Sequence, residues 1–379
     1  IGVRTLDDLF TDIPVALRYP DLELPEARTP LEAQRFLQDL ARQNTDIAPH
    51  RSFIGAGIYH HDIPPIVDDV LRRPALYTAY TPYQPEVSQG TLQATFEYQS
   101  LISALTGMPV SNASHYDGAT SLAEAVMLAL SIASEGATQV VLSANVNPTY
   151  RRVVQTYLQG TTAKIVTDDA VLANPTDLIE RVDERTAALV VQTPGFLGEL
   201  TDLRGLADAV HAVGGRSIVV GDPIAMGIFE PPASDGADIV VAEGQALGLA
   251  PNFGGPRLGI FAVRDDDVRR LVGRVVGQTH DAQDRRGYVL TLATREQHIR
   301  RARATSNICT NSALGVLAAS VYLASVGRQG LRQVAELCFH KSHYLAEQLR
   351  RHLGLSINPH CVQAAQPWFR EFVVELPCR

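Results

Sequence analysis

Seven short strand-like segments, most of them apolar and separated by stretches of helical spacing, limit this chain to one broad architecture. They occupy residues 110–114, 139–144, 163–167, 187–192, 217–221, 239–242 and 258–263. Runs such as Ala188-Leu189-Val190-Val191 and Ile218-Val219-Val220 show no alternation of apolar and polar residues. Both of their faces must therefore be covered, as in parallel strands flanked by crossover helices. Residues 121–134, 150–158 and 203–213 carry apolar residues at helical spacing between the strands. The expectation is an α/β fold: a doubly wound, mostly parallel sheet of about seven strands with helices on both faces.

The flanking regions read differently. Residues 1 to about 50 form short helical pieces broken by prolines, with Thr29-Pro30-Leu31-Glu32 a good helix start. Residues 51–90 hold five prolines and four tyrosines with little periodicity, which reads as a long functional loop. From Thr91 an apolar face of Leu92, Phe96, Ile102 and Leu105, interrupted by Gln99, predicts a helix ending at Gly107. Beyond residue 290 the pattern is mostly helical, over 294–303, 312–326 and 330–352. The chain thus divides into an N-terminal extension and Tyr/Pro-rich loop (1–90), a large α/β domain (91–325), and a linking helix that opens a small C-terminal α/β domain (326–379). It begins at Ile1, not Met, and stops at Arg379 just after a strand-like run, so both ends are expected to be incomplete.

Composition excludes several functions. The formal charge is −8 and there is no basic stripe, so nucleic acid is not an expected partner. No apolar run reaches the ~20 residues of a membrane span, and no secretory leader is visible. The four cysteines, Cys309, Cys338, Cys361 and Cys378, form no close pair, which disfavours a zinc knuckle or disulfide framework and makes a reducing, cytoplasmic setting the expectation. His60-His61-Asp62 could suggest a metal, but adjacent strand histidines point to opposite faces, so a turn or site rim is expected and no metal site is assigned. Lys164 and Lys341 are the only lysines, which makes every lysine-dependent mechanism easy to test by reading.

Three constellations carry the chemistry. Residues 112–121, with Ser114, Asp117 and Gly118, sit where a strand ends and a helix opens, so their backbone amides could cradle a phosphate. An ordinary helix cap accounts for Thr120 and Ser121 as well. Asp222 follows the strongest strand, at the end where open α/β sheets bind ligands. There an aspartate can pair with the protonated pyridine nitrogen of pyridoxal phosphate, or simply cap the next turn. About two dozen residues later a second strand runs into Glu243-Gly244-Gln245 and the glycine-rich 253–256. This layout is similar to that of fold type I pyridoxal-phosphate enzymes, whose Schiff-base lysine stands just past the second strand. Gln245 holds that place, and an amide cannot form an imine.

The run from Tyr77 to Gly90 (Tyr-Thr-Ala-Tyr-Thr-Pro-Tyr-Gln-Pro-Glu-Val-Ser-Gln-Gly) resembles the signature of the N-terminal half of glycine decarboxylase P-proteins. So do residues 112–118, 243–256 and 304–311, in order along essentially the whole chain. A chain of this length resembles the α subunit of the split bacterial form. The resemblance implies a fold type I α half without the reactive lysine, and a β subunit that carries lysine-bound pyridoxal phosphate. It implies an αβ pair that dimerises to a heterotetramer, with glycine as substrate. Glycine loses its carboxylate as CO2, and the aminomethyl group passes to the lipoyl arm of the H-protein.

Under that resemblance no catalytic residue stands on this chain alone. Tyr80, Tyr83, Gln84, Glu86 and Ser88 would line the partner's pocket, or serve only interface packing. Ser114, Asp117, Gly118, Asp222 and Gln245 would form a vestigial cofactor pocket. Thr305, Ser306 and Asn307 would reach a phosphate across the interface, or merely cap a helix. Asn147-Pro148 stands where related sequences often have His-Pro, so stacking on a cofactor ring is not expected there. Two other readings are a lysine-less protein that binds pyridoxal phosphate noncovalently by itself, and a scaffold that only stabilises the β chain.

Overall fold

The computed structural model describes residues 2–45, 53, 55–78, 80–167, 175–252, 255–359 and 367–377. These fall into two units, 1–54 and 55–379. In the first, α1 (Pro30–Ala41) starts with the expected cap: Thr29 Oγ1 accepts from the Glu32 N–H, and the Thr29 N–H donates to Glu32 Oε2. Two short 3₁₀ turns, Asp7–Phe10 and Val15–Leu17, precede it.

The second unit opens with α2 (Pro65–Leu71), α3 (Pro74–Tyr77) and a 3₁₀ turn at Pro85–Val87. The expectation of an unbroken loop over 51–90 is corrected here. The prolines that argued for a loop instead stand at the start of each turn, where their fixed φ suits a helix and no N–H is required. α4 (Gln89–Thr106) follows and ends at Gly107, whose φ of +73° is left-handed.

Then come β1 (Val110–Ser111), α5 (Gly118–Ile132), β2 (Gln139–Leu142), α6 (Pro148–Leu158), β3 (Lys164–Val166), β4 (Thr186–Thr193), α7 (Leu206–Ala212), β5 (Arg216–Gly221), β6 (Ile239–Glu243) and β7 (Gly259–Val263). They build one seven-stranded sheet, in the order β1-β7-β6-β5-β4-β2-β3. Only β7 runs antiparallel to its neighbours. Each central strand feeds both faces: Leu189 and Val191 enter one apolar cluster, and Ala188 and Val190 the other. That is why β4 and β5 read as unbroken apolar runs. α5 and α6 cover one face, while α4, α7 and the late helix pack on the other.

After the sheet, β8 (Val275–His280) pairs with β9 (Arg286–Thr291) as an antiparallel hairpin that the sequence did not suggest. Residues 294–303, expected as one helix, hold only α8 (Gln297–Arg300) and two 3₁₀ turns. Extended Glu296 (ψ 153°) and Arg301 (φ +53°) interrupt the run. The long α9 (Ala313–Leu353) breaks at Gly327, with φ +62° and ψ −178°, into the two expected helices. Such backbone is open essentially to glycine alone. β10 (Ser356–Ile357) and β11 (Val374–Glu375) close the described chain as a small antiparallel pair.

Gln99, the polar residue that interrupts the apolar face of α4, has a specific task. Its side chain donates to Val276 O and accepts from Val276 N, both at 2.9 Å, as a neighbouring strand would. Gln89 does the same for Tyr288, at 2.8 and 2.9 Å. One glutamine thus fastens each strand of the hairpin to α4. Gln99→Leu leaves two buried backbone groups without partners and is expected to destabilise the chain by about 1–3 kcal/mol, seen as a lower urea midpoint at unchanged slope.

Candidate functional site

The carboxyl ends of β4, β5 and β6 open onto a cavity of about 50 Å³, far below the ~300–1,000 Å³ of sites that enclose a cofactor-sized ligand. Its size follows from what fills it.

Asp222 lies just past β5. Its Oδ1 accepts from the Ile224 N–H at 2.8 Å, and its Oδ2 pairs with Arg370 Nη2 at 2.5 Å. The guanidinium carbon sits 3.4 Å from the centre of the Tyr59 ring, and Nη1 donates to His61 Nε2 at 3.0 Å. Burial, with the cation beside it, pushes the His61 pKa down to about 4, so the imidazole stays neutral and can accept. Burial works against the charge of Arg370, yet the Asp222 carboxylate outweighs it and holds the guanidinium more firmly protonated than usual. The place that a protonated pyridine nitrogen would take on Asp222 is occupied by an arginine of the chain's own.

The expected lysine position is equally committed. Gln245 is fully buried, accepts from the Tyr59 N–H and donates to Tyr59 O, both at 3.1 Å, and also donates to Leu249 O. This is the same two-sided grip that Gln89 and Gln99 apply to the hairpin. It holds the residue whose ring lies on Arg370.

The N-terminus of α5 is filled as well. Asp117 accepts from the Thr120 N–H at 2.7 Å, and Glu243 Oε2 accepts from the Gly118 N–H at 3.1 Å. A Cβ on Gly118 would stand 2.5 Å from the Tyr150 hydroxyl, so the backbone comes close because residue 118 is glycine. Two carboxylates thus take the positive helix end that a phosphate would need. Glu243 also accepts from the Gln245 and Leu258 N–H groups, yet burial raises its pKa to about 7. Pyridoxal phosphate does not fit this pocket: the three features that would hold its ring nitrogen, aldehyde and phosphate are all engaged by internal side chains.

The sequence-derived candidates separate into three places. Of the pocket candidates only Asp222 lines the cavity; Gly118 and Gln245 each hydrogen-bond to a residue that does, Glu243 and Tyr59, and Asp117 caps α5 beside Gly118. Ser114 is fully buried with its hydroxyl accepting from the Ser312 N–H, and it does not line the cavity. Asn147 caps α6 through the Thr149 N–H and lines the cavity. His61 meets Arg370, whereas His60 is exposed. Phe253 and Gly254 of the glycine-rich run, together with Cys361 and Cys378, lie outside the described residues.

Tyr80, Tyr83, Gln84 and Glu86 are exposed and Ser88 is half-buried, none of them lining the cavity. Of these, Tyr83 is anchored by Arg274, a residue with no signal in the sequence. It is 4% exposed, donates to Tyr83 Oη at 2.8 Å and to Thr310 Oγ1 at 2.7 Å, and faces Glu296 at 3.4 Å. Thr305 and Ser306 border a smaller hollow beside Arg270 and Arg295, and Asn307 is exposed. The Ser306 hydroxyl donates to Glu124 at 2.6 Å. Among the described residues no cluster of three or more His, Cys, Asp or Glu side chains could hold a metal ion.

Burial raises the carboxyls of Glu124, Glu199 and Glu243 to about 7. The folded chain therefore keeps protons that the unfolded chain has released between about pH 4.5 and 7. These groups are expected to lower the melting temperature as pH rises through that window, and Glu243→Gln to flatten part of the fall. Scanning calorimetry at constant ionic strength checks both.

Residues 1–364 match the family model of the glycine cleavage system P-protein. The chain is 50% identical over 380 residues to the probable glycine dehydrogenase (decarboxylating) subunit 1 of Thermomicrobium roseum, covering 100% of this chain and 84% of that one. It is 45% identical to the protein of the same description in Geobacillus kaustophilus, covering 99% of this chain and 83% of that one. A crystal structure of glycine decarboxylase (P-protein) in inhibitor-bound form superposes with a TM-score of 0.87 at 43% identity, over 97% of this chain and 82% of that chain. Glutamate decarboxylase of Lactobacillus brevis, 16% identical with a TM-score of 0.62 over 89% of this chain and 77% of that one, shares the fold. A seven-stranded sheet with the binding features of this fold at its strand ends, matched in sequence over nearly its whole length, identifies the lineage: the chain belongs to the glycine cleavage system P-protein family.

Proposed function

We propose that this chain is the α subunit of a two-subunit glycine dehydrogenase (decarboxylating), and that the β subunit holds the pyridoxal phosphate. The observation that carries the reading is the filled pocket of a chain 50% identical to a subunit 1. A member of this family whose own pocket cannot take the cofactor needs a second polypeptide to supply the reactive site. The chemistry supplied there is labilisation of the bond from the glycine α-carbon to its carboxylate. The carboxylate leaves as CO2, and the aminomethyl group passes to the lipoyl arm of the H-protein. The αβ pair dimerises to a heterotetramer. The setting is cytoplasmic, the reading suggested by four cysteines that form no close pair in the sequence.

In this reading the Tyr/Pro-rich segment covers the partner's site. It combines stiffness with exposed aromatic area: Pro82 and Pro85 restrict the backbone, while Tyr80 and Tyr83 are 76% and 56% exposed. Arg274 holds the Tyr83 hydroxyl and lies 5.3 Å from the centre of its ring, which still leaves the tyrosine more than half exposed. Gln84, Glu86 and Ser88 supply polar groups along the same edge. Such a lid orients the substrate and keeps water from the reacting bond. Thr305, Ser306 and Asn307, close to Arg270 and Arg295, suit an anionic group presented by the partner. Residues 326–379 are the linking helix and the start of a small C-terminal domain. The noncovalent reading is disfavoured by the same filled pocket.

The purified chain alone is expected to show no cofactor absorbance and no exchange of glycine carboxylate with bicarbonate. Both should appear on adding the β subunit and lipoylated H-protein, whereas exchange by this chain alone would refute the assignment. Tyr83→Phe should leave αβ association intact and slow decarboxylation by roughly 10-fold, about 1.4 kcal/mol, as expected for the loss of its one part-buried hydrogen bond with Arg274. Unchanged turnover would show that the hydroxyl has no part.

A further inference from the structure

Three segments distant in sequence meet at Arg370. Through Asp222 it touches the end of β5. Through Tyr59 and His61 it touches the strip that begins the second unit. Its own strip, residues 367–371, is fastened to the turn after β4: the Phe369 N–H donates to Gly198 O at 3.0 Å, and the Leu200 N–H donates to Pro367 O at 2.8 Å. Glu371 adds a further tie, accepting from the Ala56 N–H at 2.9 Å. A Cβ on Gly198 would overlap Glu371 O, so the two strips can approach this closely only with glycine there.

We propose that Arg370 is a resident substitute for the cofactor's ring cation, and that it turns the former ligand pocket into a permanent joint which restoring a lysine at position 245 cannot reopen. A pyridinium ring in this fold would present a flat cation to the aspartate. The guanidinium is also a flat cation. It offers one edge to Asp222, another to His61 and a face to Tyr59, and a planar fork is suited to such simultaneous contacts. Gln245 belongs to the same joint, because its two-sided grip sets the position of Tyr59. Lysine has three donors and no acceptor. In place of Gln245 it would lose the acceptor that the Tyr59 N–H uses, while the seat on Asp222 stayed filled. Loss of the amine and gain of the arginine are therefore two separate closures of one pocket.

Removing the Arg370 side chain should leave a cavity with an unpaired carboxylate at its base, shaped for a small planar cation. The pocket belongs to this chain itself, so the test is independent of the partner assignment. Arg370→Ala should lower the melting temperature by about 5 °C, as expected when one partner of a buried pair is removed. Low-millimolar guanidinium chloride should recover most of that loss, and neither urea, its neutral analogue, nor sodium chloride at equal concentration should do so. The proposal is overturned if Arg370→Ala melts like the unaltered chain, or if guanidinium repairs it no better than urea. Should that variant aggregate, Arg370→Lys, which keeps the charge without the flat fork, is read instead: it should melt lower than the unaltered chain, and equal melting overturns the proposal. In a separate arm, Gln245→Lys titrated with pyridoxal phosphate should show no imine absorbance band. Appearance of that band overturns the claim that the pocket is closed twice, and if the variant does not fold the melting arm decides.

Discussion

The ion pair between Asp222 and Arg370 decides what the rest of this chain can do. A strand-end carboxylate in a confined pocket needs a positive partner, because an isolated buried charge is far costlier than a paired one. In a cofactor-binding relative of this fold the partner can be the ligand. Here it is an arginine from a segment about 150 residues further along the chain, and the chain completes the pocket by itself. Such a pair is not a large net source of stability, since bringing both groups out of water offsets much of their attraction. Its importance lies in what breaks if either member is lost.

The glutamines show how the same chemistry is used elsewhere. Gln89, Gln99 and Gln245 each give and take one hydrogen bond with both backbone groups of a single residue: Tyr288, Val276 and Tyr59. A carboxamide is the side chain that imitates a strand edge in this way, offering a donor and an acceptor at peptide-like spacing. At position 245 this explains why an amide, and not an arbitrary small residue, stands where the fold can place a lysine. The grip orients the aromatic ring that supports Arg370, so the substitution carries structure as well as losing reactivity.

Much of the fold was legible because burial on both faces writes unbroken apolar runs into β4, β5 and β6. The positions of Asp222 and Gln245 followed from strand ends in the same way. Arg370 was not legible. It lies in an irregular strip outside the sheet, and its task depends on three contacts made by residues remote in sequence; the only local signal was a lone arginine after Trp368 and Phe369. Arg274 was hidden for a similar reason, being a buried cation whose partners come from Tyr83, Thr310 and Glu296. The hairpin of β8 and β9 escaped notice because its outer half is polar and exposed, with little of the alternation that marks a half-buried strand. The prolines of residues 51–90 were misleading because proline starts helices as readily as it interrupts them.

In the proposed reading, reactivity and architecture are divided between two polypeptides. This chain keeps the sheet, presents a stiff aromatic segment on its surface and fills the pocket in which it would otherwise react. Borohydride reduction of the assembled complex with pyridoxal phosphate, followed by peptide mapping of both subunits, tests that division most directly. The account predicts a reduced cofactor adduct on a lysine of the second subunit and none on this chain. An adduct at Lys164 or Lys341 would contradict it.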